Sequence, residues 1–244
     1  MIIDFHAHIG QSKIFGGRYA EATSVVHVMD AHGIDRAVLL PTASSVNTRY
    51  WEDSAAAAKE FPDRFFGFVL INPRQPGAPE RLERAVADHG LRGVKLHPTF
   101  EAFAADDHEL VYPVVAKAQE LGVPVMIHSG QSPYATPWQV GLVAIDFPDA
   151  TIIMAHMGCD EIVFCDAAIN MAKRAPNLYL ETTGVTAEAK IAKAVREIGP
   201  ERVLYGSDLP FHSPAVEMQK VRSAEMSDAA RALVLGGNAA RLLG

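Results

Sequence analysis

Short apolar runs with no helical period punctuate this chain, and between them apolar residues recur at the three-to-four-residue spacing of helices. The runs fall at residues 2–10, 37–41, 65–72, 93–98, 124–129, 151–156, 178–183 and 202–207. Several are closed by a breaker such as Gly10, Pro41, Pro73 or Gly158, which marks them as strands. The stretches between them predict helices over 21–33, 51–61, 79–89, 108–121, a segment ending near 147, 160–174 and 187–198, with two short helices at the end. Pro113 must either open or bend the fourth of these, and Asn238 is placed to cap the last. Strands that are apolar on both faces and alternate with helices pair in parallel. Eight such repeats in 244 residues predict one domain over residues 1–244, a closed eight-stranded α/β barrel, the (β/α)8 TIM barrel. An open doubly wound sheet fits less well, because no glycine-rich phosphate turn follows the first strand.

Composition changes this picture little. The chain is 49% hydrophobic and 21% charged, and no Ser/Gly/Pro-rich linker divides it. A net charge of −7 without a basic stripe argues against a nucleic-acid partner. No apolar run has membrane-spanning length and no signal-like segment precedes the first strand, so a cytoplasmic protein off the membrane is expected. Cys159 and Cys165, six apart in a predicted helix, form neither a disulfide framework nor a zinc knuckle.

The chemistry lies where the strands stop. In a β/α barrel the carboxyl ends of the strands carry function. Here those ends hold His6 and His8, Lys95 and His97, His128, His156 and Asp208. Alternation puts His6 and His8 on one face, where two imidazoles can grip one ion. A lone His-x-His is more often a hydrogen-bonded buried pair; five histidines and a carboxylate at one rim need a common cause. Nitrogen and oxygen donors without thiolate suit a divalent metal, Zn²⁺ in a catalytic site or else Mn²⁺, Fe²⁺ or Ni²⁺. His27, His32, His89 and His108 fall in helices or loops and read as surface residues, with His212, close behind the last strand, the one to watch.

DFHAH in the first strand, GVKLHP in the fourth, PVMIHSG in the fifth, IIMAHMG in the sixth, YGSDLP in the eighth and GGNAARLL at the end appear in one order across the whole chain. Together they resemble the amidohydrolase superfamily, and more narrowly its amidohydrolase-related group, which also contains metal-dependent decarboxylases. The resemblance implies that His6, His8, His128 and Asp208 hold a metal and that His156 acts on substrate or binds a second ion. Lys95 stands where two-metal relatives carry a bridging carboxylated lysine. One ion beside a charged Lys95 is favoured here, because an ammonium repels a second cation, and two ions are expected if Lys95 is carboxylated. His97 shares its face without a fixed role in the group.

A hydrolase is the first expectation: metal-activated water attacks an amide, lactone or other ester. Asp208 then serves as general base and acid, and His156 binds the oxyanion. The alternative is a lyase, a non-oxidative decarboxylase of a hydroxybenzoate-like or enol acid. A metal-binding barrel without catalysis is a third reading. The partner is a small molecule, carboxylated or aromatic: Lys95, His97, Arg18 and Arg49 are candidate substrate-binding residues, and Tyr50, Trp51, Tyr134 and Trp138 could wall an aromatic ring. Glu181 and Thr183 share a face, so one can reach the mouth. Relatives often pair, which leaves a homodimer open.

Overall fold

In the first strand, β1 (Ile3–Gln11), every residue but the last is buried. The remaining barrel strands are β2 (Arg36–Pro41), β3 (Phe65–Gly67 with Val69–Leu70), β4 (Val94–Leu96), β5 (Val125–His128), β6 (Ile152–Ala155), β7 (Leu178–Glu181) and β8 (Val203–Leu204), and a two-residue strand, Tyr19–Ala20, pairs antiparallel with the end of β1. This computed structural model describes residues 1–11, 19–42, 51–130, 132–159 and 161–244. Each barrel strand pairs in parallel with the next, from Ile3 beside Arg36 through to Leu180 beside Val203. β3 turns the corner at Phe68, whose N–H donates to Leu39 on one side while Val69 donates to Gly93 on the other. The ring closes where the chain beyond β8 returns to β1. Phe5 N–H donates to Tyr205 O at 2.9 Å, Asp208 N–H to His6 O at 2.6 Å and His8 N–H to Leu209 O at 2.6 Å. With no free edge left, the expected TIM barrel is the fold.

Side-chain alternation sorts the core into two layers. Val38 and Leu40 of β2 pack inside the barrel with Ile3, Phe5, Phe66, Phe68, Met126, Ile153 and Leu204. Ala37 and Leu39, with Val94, Leu96, Val125 and Ile127, face the helices. A register shift in β1 between Asp4 and Ala7 breaks the simple alternation, so that Phe5 packs in the barrel interior and His6 still reaches the mouth above it.

Helices follow the strands: Ala22–His32, Glu52–Glu60, Ala78–His89, Val111–Leu121, Pro137–Asp146, Ile162–Arg174, Glu188–Ile198 and Pro214–Ser223. Pro113 lies in the first turn of its helix, where a missing N–H costs nothing, so it opens that helix rather than bending it. Two expectations need correction. Asn238 is not a cap: the chain is already helical before it, and its buried amide donates to Pro200 O and Val203 O, pinning the last helix under β8. Cys159 precedes its helix in a left-handed turn with φ 67°, and only Cys165 is helical. Among the described residues no helix is long and apolar enough to cross a membrane.

Candidate active site

At the carboxyl end of the barrel, a cavity of about 200 Å³ is lined by His6, His8, Lys95, His97, His128, His156 and Asp208, with Phe100, Phe211 and His212 among its walls. At its floor His6 Nε2, His8 Nε2 and Asp208 Oδ1 converge, at 3.2 Å between the imidazoles and 3.4 and 2.9 Å from each to the carboxylate. Lys95 Nζ lies 3.4 Å from the same His6 nitrogen.

The tautomer of His6 follows from its other side. Its Nδ1 is 3.0 Å from Glu181 Oε2, and that carboxylate also accepts from the backbone N–H of His156 and Thr183 and from the Thr183 hydroxyl. A carboxylate is acceptor-only, so the His6 proton sits on Nδ1 and a lone pair on Nε2 faces the triad. That lone pair faces a carboxylate oxygen and a second imidazole nitrogen, a nitrogen and oxygen donor set of the kind that binds metal ions. The donors therefore fit a divalent cation.

Electrostatics agree. Burial, reinforced by the Lys95 charge and neighbouring imidazoles, holds His6 and His97 well below the ordinary histidine range. Burial with His97 and His156 nearby does the same to His128, and burial brings His156 down to about 4 despite the pull of Asp208. Neutral imidazole is the metal-binding form. Burial opposes charge on Asp208 as well, but His8, His156 and Lys95 outweigh it and keep the acid ionised. Lys95, fully buried, is pushed below the usual lysine range by desolvation, against the attraction of Asp208 and Glu181.

A second stitch holds the floor together. Asp4, wholly buried, accepts from the N–H of His6 at 3.0 Å and of Ser207 at 2.9 Å, and from the Ser207 hydroxyl. This bond spans 203 positions of chain and sets Asp208 beside the β1 histidines. Both Asp208 (φ 57°) and His156 (φ 66°) occupy the left-handed region. That conformation costs a non-glycine residue about 1 kcal/mol, and the surrounding bonds hold it.

Residues 3–244 match the sequence pattern of the amidohydrolase family. The chain belongs to that family. Among its relatives, the gamma-resorcylate decarboxylase of Polaromonas sp. is 25% identical over 283 aligned positions, which cover 89% of this amidohydrolase and 85% of that enzyme. An uncharacterised TIM-barrel protein from Bordetella bronchiseptica superposes with a TM-score of 0.85 at 26% identity, covering 99% and 98% of the two chains. A dihydroxybenzoic acid decarboxylase from Polaromonas sp., crystallised with manganese and the inhibitor 2-nitroresorcinol, superposes at 0.77 with 21% identity over 99% and 96%.

Of the residues singled out in this amidohydrolase's sequence, the structure brings His6, His8 and Asp208 within 4.8 Å of one another. His128 lines the same cavity but stands outside that tight group, stacked on His97 at 4.1 Å and edge-on to His156 at 4.8 Å. His97 is sandwiched between His128 and Phe100 and accepts from Phe100 N–H, so it packs the wall more than it reaches for a ligand. Arg18, Arg49 and Tyr50 lie outside the described residues. Trp51 packs towards His89, while Trp138 meets Phe164 and is 47% exposed; neither walls the cavity, and nor does Tyr134. Phe100 and Phe211 take that place, and both come after a proline just past a strand-end candidate, His97 and Asp208 respectively. Glu181, read only as one of two residues able to reach the mouth, is the orienting partner of His6. Asp4 and Ser207 carried no signal in the sequence beyond their places beside His6 and Asp208.

Proposed function

We propose that this amidohydrolase is a metal-dependent, non-oxidative decarboxylase of a small hydroxylated aromatic acid. The observation that carries the proposal is the shape of the site: a cavity of about 200 Å³ with phenylalanine walls above a His–His–Asp floor. A void of about 150 Å³ holds one benzene ring, so this one suits a single substituted ring rather than an extended amide. The decarboxylase relatives favour the same choice over the hydrolase expected first.

A divalent ion held by His6, His8, His128 and Asp208 would supply positive charge for the carboxylate and a neighbouring oxygen of the substrate. Manganese, present in the Polaromonas decarboxylase structure, is the ion of choice, ahead of the zinc expected from ligand type. One ion is proposed, since Lys95 crowds the triad as a cation. Phe100 and Phe211 hold the ring and exclude water. Asp208, kept ionised in the resting site, takes up a proton and passes it to the ring carbon as the bond to CO₂ breaks, leaving its electron pair on that carbon. His156, neutral at pH 7, donates a hydrogen bond to a substrate oxygen.

The test is CO₂ release from 2,6-dihydroxybenzoate by manganese-loaded protein, with Asp208→Asn beside it. Stoichiometric resorcinol and CO₂, falling at least a hundredfold in the variant, is the expected result. Turnover of lactones or amides without CO₂ release from any hydroxybenzoate would overturn it in favour of hydrolysis.

A further inference from the structure

Beyond β6 the chain runs through four residues in succession with positive φ: His156 at 66°, Met157 at 45°, Gly158 at 87° and Cys159 at 67°. Only glycine takes such angles without strain, and Cys159, with ψ −152°, stands in a region that is essentially glycine's. Strain of this kind persists only where the surroundings over-determine the backbone. The run carries His156 into the cavity and leaves Cys159 on its wall. Met157 is buried in the core, and a Cβ on Gly158 would stand 2.5 Å from the Phe164 carbonyl oxygen. The turn is therefore pressed against the helix Ile162–Arg174.

The bonds that hold this run can be traced one by one. His156 N–H donates to Glu181 Oε2 at 3.1 Å, Cys159 N–H to His156 O at 2.6 Å, and the Cys165 thiol to Cys159 O at 3.3 Å. Another tie comes from the end of β5. Ser129, fully buried and next to His128, donates its hydroxyl proton to Ala155 O at 2.6 Å and accepts from the Gly158 N–H at 3.2 Å. One oxygen thus grips the chain immediately before His156 and two residues after it. A hydroxyl donates and accepts at once, and a site closed to solvent offers no water in its place.

We propose that Ser129 is the positioning residue of His156: its hydroxyl fixes the left-handed turn that aims this imidazole at the substrate. The proposal rests on the reading that His156 bonds a substrate oxygen, and it deepens that reading. It assigns the aim to a side chain that does not itself line the cavity. The His156 ring centre lies 4.8 Å from that of His6 and 4.8 Å, edge-on, from that of His128. Released from the hydroxyl, the turn relaxes towards ordinary φ and takes the imidazole with it, while His6, His8, His128 and Asp208 keep their places.

Steady-state decarboxylation of 2,6-dihydroxybenzoate, with metal content measured beside it, tests this in Ser129→Ala, Ser129→Thr, His156→Ala and the double variant. Ser129→Ala should lower kcat about ten- to hundredfold, with KM within about threefold and metal content at the native level. Ser129→Thr, which keeps the hydroxyl, should recover most of the rate. In the His156→Ala background the loss of the serine should cost less than about twofold, because the residue it positions is gone. Losses that multiply in the double variant, a native kcat in Ser129→Ala, or metal lost with the serine overturns the proposal. Should Ser129→Ala not fold, Ser129→Cys, near in shape with weaker bonds, carries the same cycle. A readout without turnover separates the proposal from decarboxylation itself. In diamagnetic, zinc-loaded protein the Cε1–H resonance of His156, displaced by the ring currents of His6 and His128, should move in Ser129→Ala and return in Ser129→Thr. An unmoved resonance overturns the positioning role. A moved one, with no CO₂ released by the native protein, leaves that role standing and rejects decarboxylation alone.

Discussion

Glu101 ends the single helical turn, Pro98–Glu101, that carries Phe100 into the cavity wall. It is 6% exposed, its Oε2 has no hydrogen-bond partner among the described residues, and burial alone raises its carboxyl from 4.5 to about 8. The folded protein therefore keeps a proton there that the unfolded chain has already released above pH 4.5. Stability from this group is full below pH 4.5, falls as pH rises through the window from 4.5 to about 8, and is flat beyond it. A span of about 3.5 pH units at about 1.4 kcal/mol each sets an upper bound of about 5 kcal/mol. Glu101→Gln keeps the shape and removes the charge. Urea unfolding of both proteins from pH 4.5 to 9 should give nearly equal stabilities at the acid end. At pH 8 the variant should lead by about 2–5 kcal/mol. A difference that stays within about 1 kcal/mol at every pH would refute the claim that the acid is buried without a compensating partner.

Other consequences concern the floor of the site. Elemental analysis of purified protein should find about one equivalent of transition metal, and a marked loss in His8→Ala, because it removes one of the two nitrogen donors at the floor and leaves three ligands of four; two equivalents would point to a carboxylated Lys95. Glu181→Gln should weaken metal affinity about 10–100-fold in a chelator competition while leaving the far-UV circular dichroism unchanged, since the His6 tautomer loses its anchor. Gly206→Ala would drive a Cβ to within 2.3 Å of Glu181 Oε1 and 2.7 Å of His6 Cβ. It should cost about 1–3 kcal/mol in urea unfolding and lower metal content as well; full metal content in a stable Gly206→Ala would argue against the crowding seen here.

Much of this protein was legible in its residues taken in order. Apolar runs stopped by Gly or Pro located the eight barrel strands, because a strand buried on both faces must be apolar throughout, and gave no sign of the two-residue strand Tyr19–Ala20. The histidines could be recognised because strand ends in a barrel meet at one rim, so position along each run foretells position in space. What the tertiary structure alone decided is which side chains touch. Asp4 pairs with Ser207 across 203 residues, Glu181 turns His6, and His212 leans on Glu217. The β1 register shift, which lets Phe5 and His6 both face inward, likewise leaves no trace in periodicity. Burial is a local property that repeats with the backbone, and so it is written in the pattern of residue types. A hydrogen bond between distant strands depends on closure of the ring, and it exists only once the last strand has met the first.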